Sequence, residues 1–101
     1  MPKVFLSGPI TGVEHYERPF NAAQALAEAQ GYEVFNPATL PPGQTWTWYM
    51  RRCLKELSDS DHIWMLPFWM MSRGSRLEHY NAVQLEIPVR ELTEKEVGVA
   101  I

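Results

Sequence analysis

The sequence predicts an α/β fold built on a three-layer, doubly wound parallel sheet of four or five strands. Short β-prone segments alternate with helical segments in the order β-α-β-α-β-α-β. This alternation is typical of parallel sheets that carry helices on both faces and are joined by right-handed crossovers. The length of 101 residues also matters, because two domains of half that size would each be too small for a core. We therefore expect one domain over 1–101.

Four segments have the length and composition of strands, and each is bounded by turn-forming residues. They are Lys3–Leu6, Tyr32–Phe35, His62–Leu66 and a fourth strand that starts with Ile87–Val89. The tail 91–101 is charged at first and then apolar, which fits either an added edge strand or irregular chain.

Three segments have apolar residues spaced three or four apart, as on the buried face of a helix. They cover about 16–30, about 46–57 and the stretch that begins near Gly74. The apolar positions are Tyr16, Phe20, Ala23 and Ala27 in the first helix, and Met50, Cys53, Leu54 and Leu57 in the second. In the third helix, Ala82 and Leu85 share this face with Glu78.

Composition disfavours several classes of function. The net charge of −3 does not favour a partner such as nucleic acid or a membrane surface, since both usually select a basic excess. A single cysteine, Cys53, allows no internal disulfide and is consistent with a reducing compartment. Because the sequence has neither an N-terminal signal region nor an apolar run long enough to span a bilayer, we expect a cytoplasmic protein.

The loops that follow the first three strands should meet at one edge of the sheet. In open parallel sheets, ligands bind beyond the carboxyl ends of the strands, where the strand order reverses. The three loops are SGPITG, NPATLPP and PFWMMSRG. We therefore predict a cleft between them. The apolar side chains of the third loop, from Phe68 to Met71, are expected either to stack on a ligand or to cover a partner subunit.

Each loop contains candidate binding residues that also have a purely structural interpretation. Ser7, Gly8, Pro9 and Ile10 form either an ordinary turn or a backbone surface that a ribose or phosphate can approach. Their glycine spacing matches neither a dinucleotide fingerprint nor a P-loop, so we expect no cofactor. Asn36 either ends a strand or contacts a ligand.

The start of the third helix has a similar ambiguity. Ser72, Gly74 and Ser75 combine hydroxyls with free backbone N–H groups, which suits an anion. The same residue types are also those that an ordinary helix start prefers.

Glu78 is the principal catalytic candidate. A carboxylate on a buried helix face is costly unless it is paired or used. The alternative is structural, because Ser75-Arg76-Leu77-Glu78 matches a capping box, in which the glutamate bonds back to the helix start. A place in the first turn would favour the ionised form through the helix dipole. His15, His62 and His79 have no metal-ligand spacing with Cys53, so we expect no metal site.

The combination of motifs resembles the nucleoside 2-deoxyribosyltransferase-like superfamily. The segments that carry the resemblance are SGPITG, GYEVFNP, YMRRCLKELSDSDHIWML, SRGSRLE and IPV, over residues 3 to about 90. The superfamily includes deoxyribosyltransferases and 2′-deoxynucleoside 5′-monophosphate N-glycosidases. The resemblance implies a flavodoxin-like sheet, Glu78 as nucleophile, and a homodimer in which the neighbour helps to close each cleft.

Residues near Glu78 favour the nucleotide branch of this superfamily. Six positions before the nucleophile, transferases tend to carry aspartate, whereas the monophosphate hydrolases carry a serine that touches phosphate. Ser72 occupies that position here, so Ser72, Gly74 and Ser75, together with Arg73, become the phosphate candidates.

Cys53 is a departure from the superfamily, which usually has an aspartate there, eight residues before the position of Asp61. Two functions therefore remain open. The first is an enzyme that hydrolyses the N-glycosidic bond of a deoxynucleoside monophosphate or a related nucleoside. A transferase that acts on the same bond is the less favoured form of this function. The second is a binding module with the same cleft and no turnover.

Overall fold

A computed structural model describes residues 1–98 as four strands, four α-helices and two 3-10 turns. The strands are β1 (Lys3–Ser7), β2 (Glu33–Phe35), β3 (His62–Met65) and β4 (Val89–Glu91). The helices are α1 (Glu17–Ala29), α2 (Trp46–Ser58), α3 (Arg73–Gln84) and α4 (Glu94–Val97). The 3-10 turns, Pro37–Thr39 and Trp69–Met71, follow β2 and β3. The first two predicted helices begin and end within one residue of the observed ones.

The sheet is parallel throughout, with the strand order β2-β1-β3-β4. This is the flavodoxin-like α/β arrangement, and it confirms the predicted fold class. β1 lies between β2 and β3, and Val4, Phe5 and Leu6 have no exposed surface. Since all strands run the same way, the loops after β1, β2 and β3 leave the sheet at one edge.

Apolar side chains cover both faces of the sheet. On one face, Phe20, Ala23 and Ala27 of α1 pack in a cluster with Val4 and Leu6. On the other face, Cys53 and Leu57 of α2 and Ala82 of α3 pack with Phe5 and Ile63. Successive residues of β1 thus point into different layers, as the pleat of a strand requires. α3 is thereby held beside the carboxyl end of β1.

The last strand starts two residues later than predicted. The sequence predicts a start at Ile87, but β4 covers Val89–Glu91. Ile87 donates its backbone N–H to Ala82 and so closes the end of α3, at 2.9 Å. Pro88 has no N–H to donate, and only its carbonyl contacts β3, where it accepts from Ile63 at 3.0 Å. The strand therefore begins after the proline.

The expectation for Leu85 was also wrong. Leu85 was expected on the buried face of α3, yet it is the residue that ends the helix and it is 55% exposed. The sequence leaves open whether the tail 91–101 adds an edge strand or is irregular. Within 91–98, Glu91 ends the edge strand β4, and α4 begins at Glu94 with Thr93 as its N-cap in a capping box with Glu96. The expectation for 99–101 lies outside the described residues.

None of the helices within residues 1–98 has the length and apolar character that crossing a membrane requires. The location of the protein in the cell stays a prediction from sequence.

Gly8, directly after β1, permits a close approach to Leu66, directly after β3. A Cβ atom at this position would lie 2.8 Å from Cβ of Leu66 and 3.3 Å from Cζ of Phe20. Cβ of Leu66 belongs to the rigid base of its side chain, so the backbone would have to move to make room.

Replacing Gly8 by alanine should lower the free energy of unfolding by about 1–3 kcal/mol, because the added methyl overpacks a full site. Urea unfolding followed by circular dichroism measures this change. Thr11→Ala, in the same loop but exposed, is the matched control and should change stability by less than about 0.5 kcal/mol. Equal stability of Gly8→Ala and the wild type would contradict the close packing.

Candidate active site

A cleft of about 910 Å³ opens at the carboxyl edge of the sheet. It is lined by the loops after β1, β2 and β3 and by the N-terminal halves of α2 and α3. The structure thus brings together the three loops that the sequence pattern predicted to meet. A volume of this size lies within the range of small-molecule sites.

Glu78 lies at the inner wall of this cleft, with only 6% of its surface exposed. Its Oε1 accepts a hydrogen bond of 2.6 Å from the hydroxyl of Ser7, the last residue of β1. Ser7 is fully buried and lies 71 positions away in the sequence. Strand β1 and helix α3 are therefore joined by a buried polar contact that faces an open space.

The capping-box interpretation of Glu78 is wrong. α3 begins at Arg73 and its N-cap is Ser72, whose hydroxyl oxygen accepts from the backbone N–H of Ser75 at 3.2 Å. Glu78 is the sixth residue of the helix, beyond the first turn, and its carboxylate bonds across to β1. The motif is present in the sequence, but the helix starts three residues too early for it to operate.

Burial raises the pKa of Glu78 from its ordinary value of 4.5 to about 7. The hydrogen bond from Ser7 and the neighbouring thiol of Cys53 lower the pKa, but by less than burial raises it. We expected the helix dipole to keep this carboxylate ionised. That effect falls off within the first turn, and Glu78 is in the second. Near neutral pH the side chain is thus divided between its charged and neutral forms.

Cys53 projects from α2 towards the same carboxylate. Burial, followed by the charge of Glu78, raises the pKa of the thiol to about 12. The thiol therefore stays neutral, and it neither adds negative charge beside Glu78 nor acts as an ionised base. Its packing in the cluster with Phe5, Leu57 and Ile63 agrees with the buried helix face that the sequence predicted.

The start of α3 supplies several hydrogen-bond donors to the cleft. Ser75 is 2% exposed, and its hydroxyl is the one buried side-chain polar atom within residues 1–98 that has no partner. The backbone N–H groups of Arg73 and Gly74 also find no acceptor among the hydrogen bonds of the described chain. Such a group of unused donors at a helix start suits an anionic ligand.

Of the other predicted site residues, five line the cleft and Asn36 does not. Gly8, Pro9, Ile10, Ser72 and Gly74 line the cleft.

Asn36 does not line the cleft. Its Nδ2 donates to Asn21 at 3.2 Å and to Gln24 at 3.0 Å, and its Oδ1 accepts from the backbone of Ala38 at 2.9 Å. Every polar atom of this side chain is thus used, Nδ2 in bonds to α1 and Oδ1 in starting the turn after β2. The geometry favours the strand-ending interpretation over ligand contact.

Sequence reasoning missed part of the cleft wall. Trp46, Tyr49 and Met50 from α2 and Tyr16 from the start of α1 all line it. Met50 is buried, as its helical spacing predicts, and it lines the cleft as well. One feature of the sequence could have indicated these residues. The aromatic segment TWTWY follows a proline-rich loop directly and starts a helix at the predicted edge of the sheet.

The stability of the protein should depend on the ionisation of Glu78. In the folded state the carboxyl group of Glu78 keeps its proton up to a pH of about 7, whereas in the unfolded state it releases the proton near pH 4.5. The folded state therefore binds more protons between these values, and stability falls as pH rises through that window. At pH 8 this cost should reach about 3 kcal/mol, since one pKa unit corresponds to about 1.4 kcal/mol.

Glu78→Gln should remove this dependence and be more stable than the wild type at pH 8, with a smaller difference at pH 4.5. Urea unfolding across this pH range measures the effect. Glu33→Gln, at an exposed carboxylate, controls for the loss of one negative charge. A uniform loss of about 1 kcal/mol at every pH would instead indicate a capping role.

Comparison with solved structures agrees with the architecture. The structure of a 2-deoxyribosyltransferase from the psychrotolerant bacterium Bacillus psychrosaccharolyticus matches with a TM-score of 0.74 and 18% sequence identity. The match covers 98% of this chain and 76% of that one. At this identity the likeness shows the fold, which resembles that of a nucleoside 2-deoxyribosyltransferase.

Comparison with known sequences defines the family. No curated protein matches the chain at a significant level. Residues 2–91, most of the chain, match a family described as "Domain of unknown function (DUF4406)". The protein, with its flavodoxin-like sheet and buried Glu78, therefore belongs to the DUF4406 family.

Proposed function

We propose that the protein cleaves the N-glycosidic bond of a 2′-deoxynucleoside 5′-monophosphate or a related nucleoside, with Glu78 as the nucleophile. The observation that carries this proposal is the buried Glu78 carboxyl, which bonds to Ser7 and lines a cleft large enough for a nucleotide. The likeness of the fold to a 2-deoxyribosyltransferase supports the choice of substrate class.

The chemistry requires the ionised form of Glu78. Its carboxylate oxygen would bond to the anomeric carbon as the bond from that carbon to the base breaks, through an oxocarbenium-like transition state. The base leaves with the electron pair of that bond and takes up a proton. Water then releases the sugar in a hydrolase, and a second base does so in a transferase.

The start of α3 fits the 5′-phosphate of the same substrate. Ser75 precedes Glu78 by three residues, which corresponds to about 4.5 Å along the helix axis on nearly the same face. One sugar ring would span from the carboxylate to the donors of Ser72, Gly74 and Ser75. Arg73, at the first position of α3, would add a positive charge there.

The second candidate function is binding of the same ligand without turnover. Two features favour it. The position where the superfamily has a second acid carries Cys53, a neutral thiol, and burial leaves Glu78 only partly ionised near pH 7. The two candidates share a cleft and differ in whether base is released.

The partner proposed for the chain is a second copy of itself. Several large apolar side chains on α3 and on the preceding 3-10 turn are exposed, namely Met70, Met71, Leu77, Tyr80 and Val83. Met71 and the exposed Phe68 also line the cleft. A copy that covered this apolar face would therefore help to close the cleft, as the resemblance implies.

Glu78→Gln should abolish release of free base, lowering the rate by at least about a hundredfold, because a neutral amide is no nucleophile. The four 2′-deoxynucleoside 5′-monophosphates are the substrates, and chromatography detects the base. Glu33→Gln is the control. The wild-type rate should increase as pH rises through about 7, the pKa of Glu78.

Unchanged release of base by Glu78→Gln would overturn the nucleophilic role. Binding of a monophosphate by the wild-type protein without any release would support the binding module instead.

Tyr80→Glu should convert a dimer to a monomer, because it places a charge in the centre of the apolar face on α3. Light scattering coupled to size-exclusion chromatography measures the mass. Glu28→Lys, exposed on α1 at the other face of the sheet, should leave the dimer intact. A monomeric wild-type protein at micromolar concentration would contradict the proposed partner.

A further inference from the structure

Trp46 and Arg73 form a stacked pair at the mouth of the cleft. Trp46 is the first residue of α2 and Arg73 is the first residue of α3. The guanidinium carbon of Arg73 lies 3.8 Å from the centroid of the indole ring. Because each side chain comes from a different helix start, the stack connects the two helices across one end of the cleft.

The charge of Arg73 is not neutralised by an acidic side chain. Within residues 1–98, the salt bridges involve Lys3, His15, Arg52 and Arg90, and none involves Arg73. Arg73 and Glu78 are the charged residues among those that line the cleft in the described chain. Stacking on indole covers one face of a guanidinium but leaves the N–H groups at its edge available.

The donors next to this pair are also unused. Ser75 presents its buried hydroxyl without a partner, in the turn that Arg73 begins. Gly74 allows α2 to approach closely, since a Cβ atom there would lie 3.0 Å from Sδ of Met50 and 3.9 Å from Nε1 of Trp46. The indole Nε1 of Trp46 thus lies close to Gly74, in the first turn of α3.

We propose that Trp46 and Arg73 together determine specificity for a phosphate monoester on the sugar. Trp46 positions the guanidinium of Arg73 beside the hydroxyl of Ser75, and the three residues select a nucleoside monophosphate over the uncharged nucleoside. This inference rests on the proposed function, because it assigns the anionic end of the ligand in the same cleft. It adds Trp46, which belongs to no motif in the sequence, as a positioning residue for Arg73.

Isothermal titration calorimetry tests the role of Trp46 and Arg73, and it uses Glu78→Gln protein so that no turnover occurs. The ligands are each 2′-deoxynucleoside 5′-monophosphate and the matching 2′-deoxynucleoside. Adding Arg73→Met should weaken monophosphate binding at least about tenfold, as the loss of a charge-assisted contact does, and change nucleoside binding less than about twofold. Adding Trp46→Leu should weaken monophosphate binding selectively, and Trp46→Phe should retain part of the selectivity because its ring still stacks.

Arg51→Met, at an exposed arginine on α2 that does not line the cleft, is the matched control and should bind both ligands as before. Circular dichroism establishes that each variant is folded. Monophosphate affinity that is unchanged in Arg73→Met would overturn the inference, as would Trp46→Leu weakening both ligands equally. Failure of the proposed function has a different signature, since neither ligand would then bind to the protein that retains Arg73 and Trp46.

Discussion

The buried hydrogen bond between Ser7 and Glu78 is the interaction on which the site depends. It joins the end of the central strand to the second turn of α3. A carboxyl group in this position would be costly without a partner. With the serine hydroxyl as donor, the carboxyl is held away from its own backbone and next to open space. One polar contact between two distant parts of the chain therefore orients the group that the proposed chemistry needs.

The parallel sheet explains why the remaining parts of the site lie around that contact. Its strands all end at one edge, so the loops after them and the helix starts that follow share a limited space. Gly8 lets the first loop pass close to Leu66, and Gly74 lets α2 approach α3. At both positions the absence of a side chain creates the shape of the cleft. The donors at the start of α3 and the aromatic rings of α2 meet for the same reason.

The electrostatics of the cleft follow from its low polarity. Burial raises the pKa of both Glu78 and Cys53, so the thiol is neutral and the carboxyl titrates near pH 7. The neutral thiol of Cys53 adds no negative charge beside Glu78. The positive charge of Arg73 lies at the mouth, on the same helix. The site thus has an acidic interior, whose charge varies near neutral pH, and a basic entrance.

Local patterns in the sequence determined the fold class and most of the secondary structure. Alternating β-prone and helical segments predicted the parallel sheet, and helical spacing placed Glu78 and Cys53 on buried faces, as observed. The same patterns failed at Leu85, because periodicity does not indicate the residue at which a helix ends. They also placed the last strand two residues early, because apolar character does not show which backbone groups find partners beside a proline.

Only the tertiary structure decided the partner of Glu78 and the composition of the cleft. A serine three residues before a glutamate is the same motif whether the glutamate caps the helix or bonds to Ser7, which lies 71 positions away. The stack of Arg73 on Trp46 and the hydrogen bond from the Asn36 amide to Gln24 of α1 were equally hidden. The physical reason is common to all of them. Periodicity reports which face of an element is buried, whereas hydrogen bonding, pKa and stacking depend on which atoms other elements bring to that face.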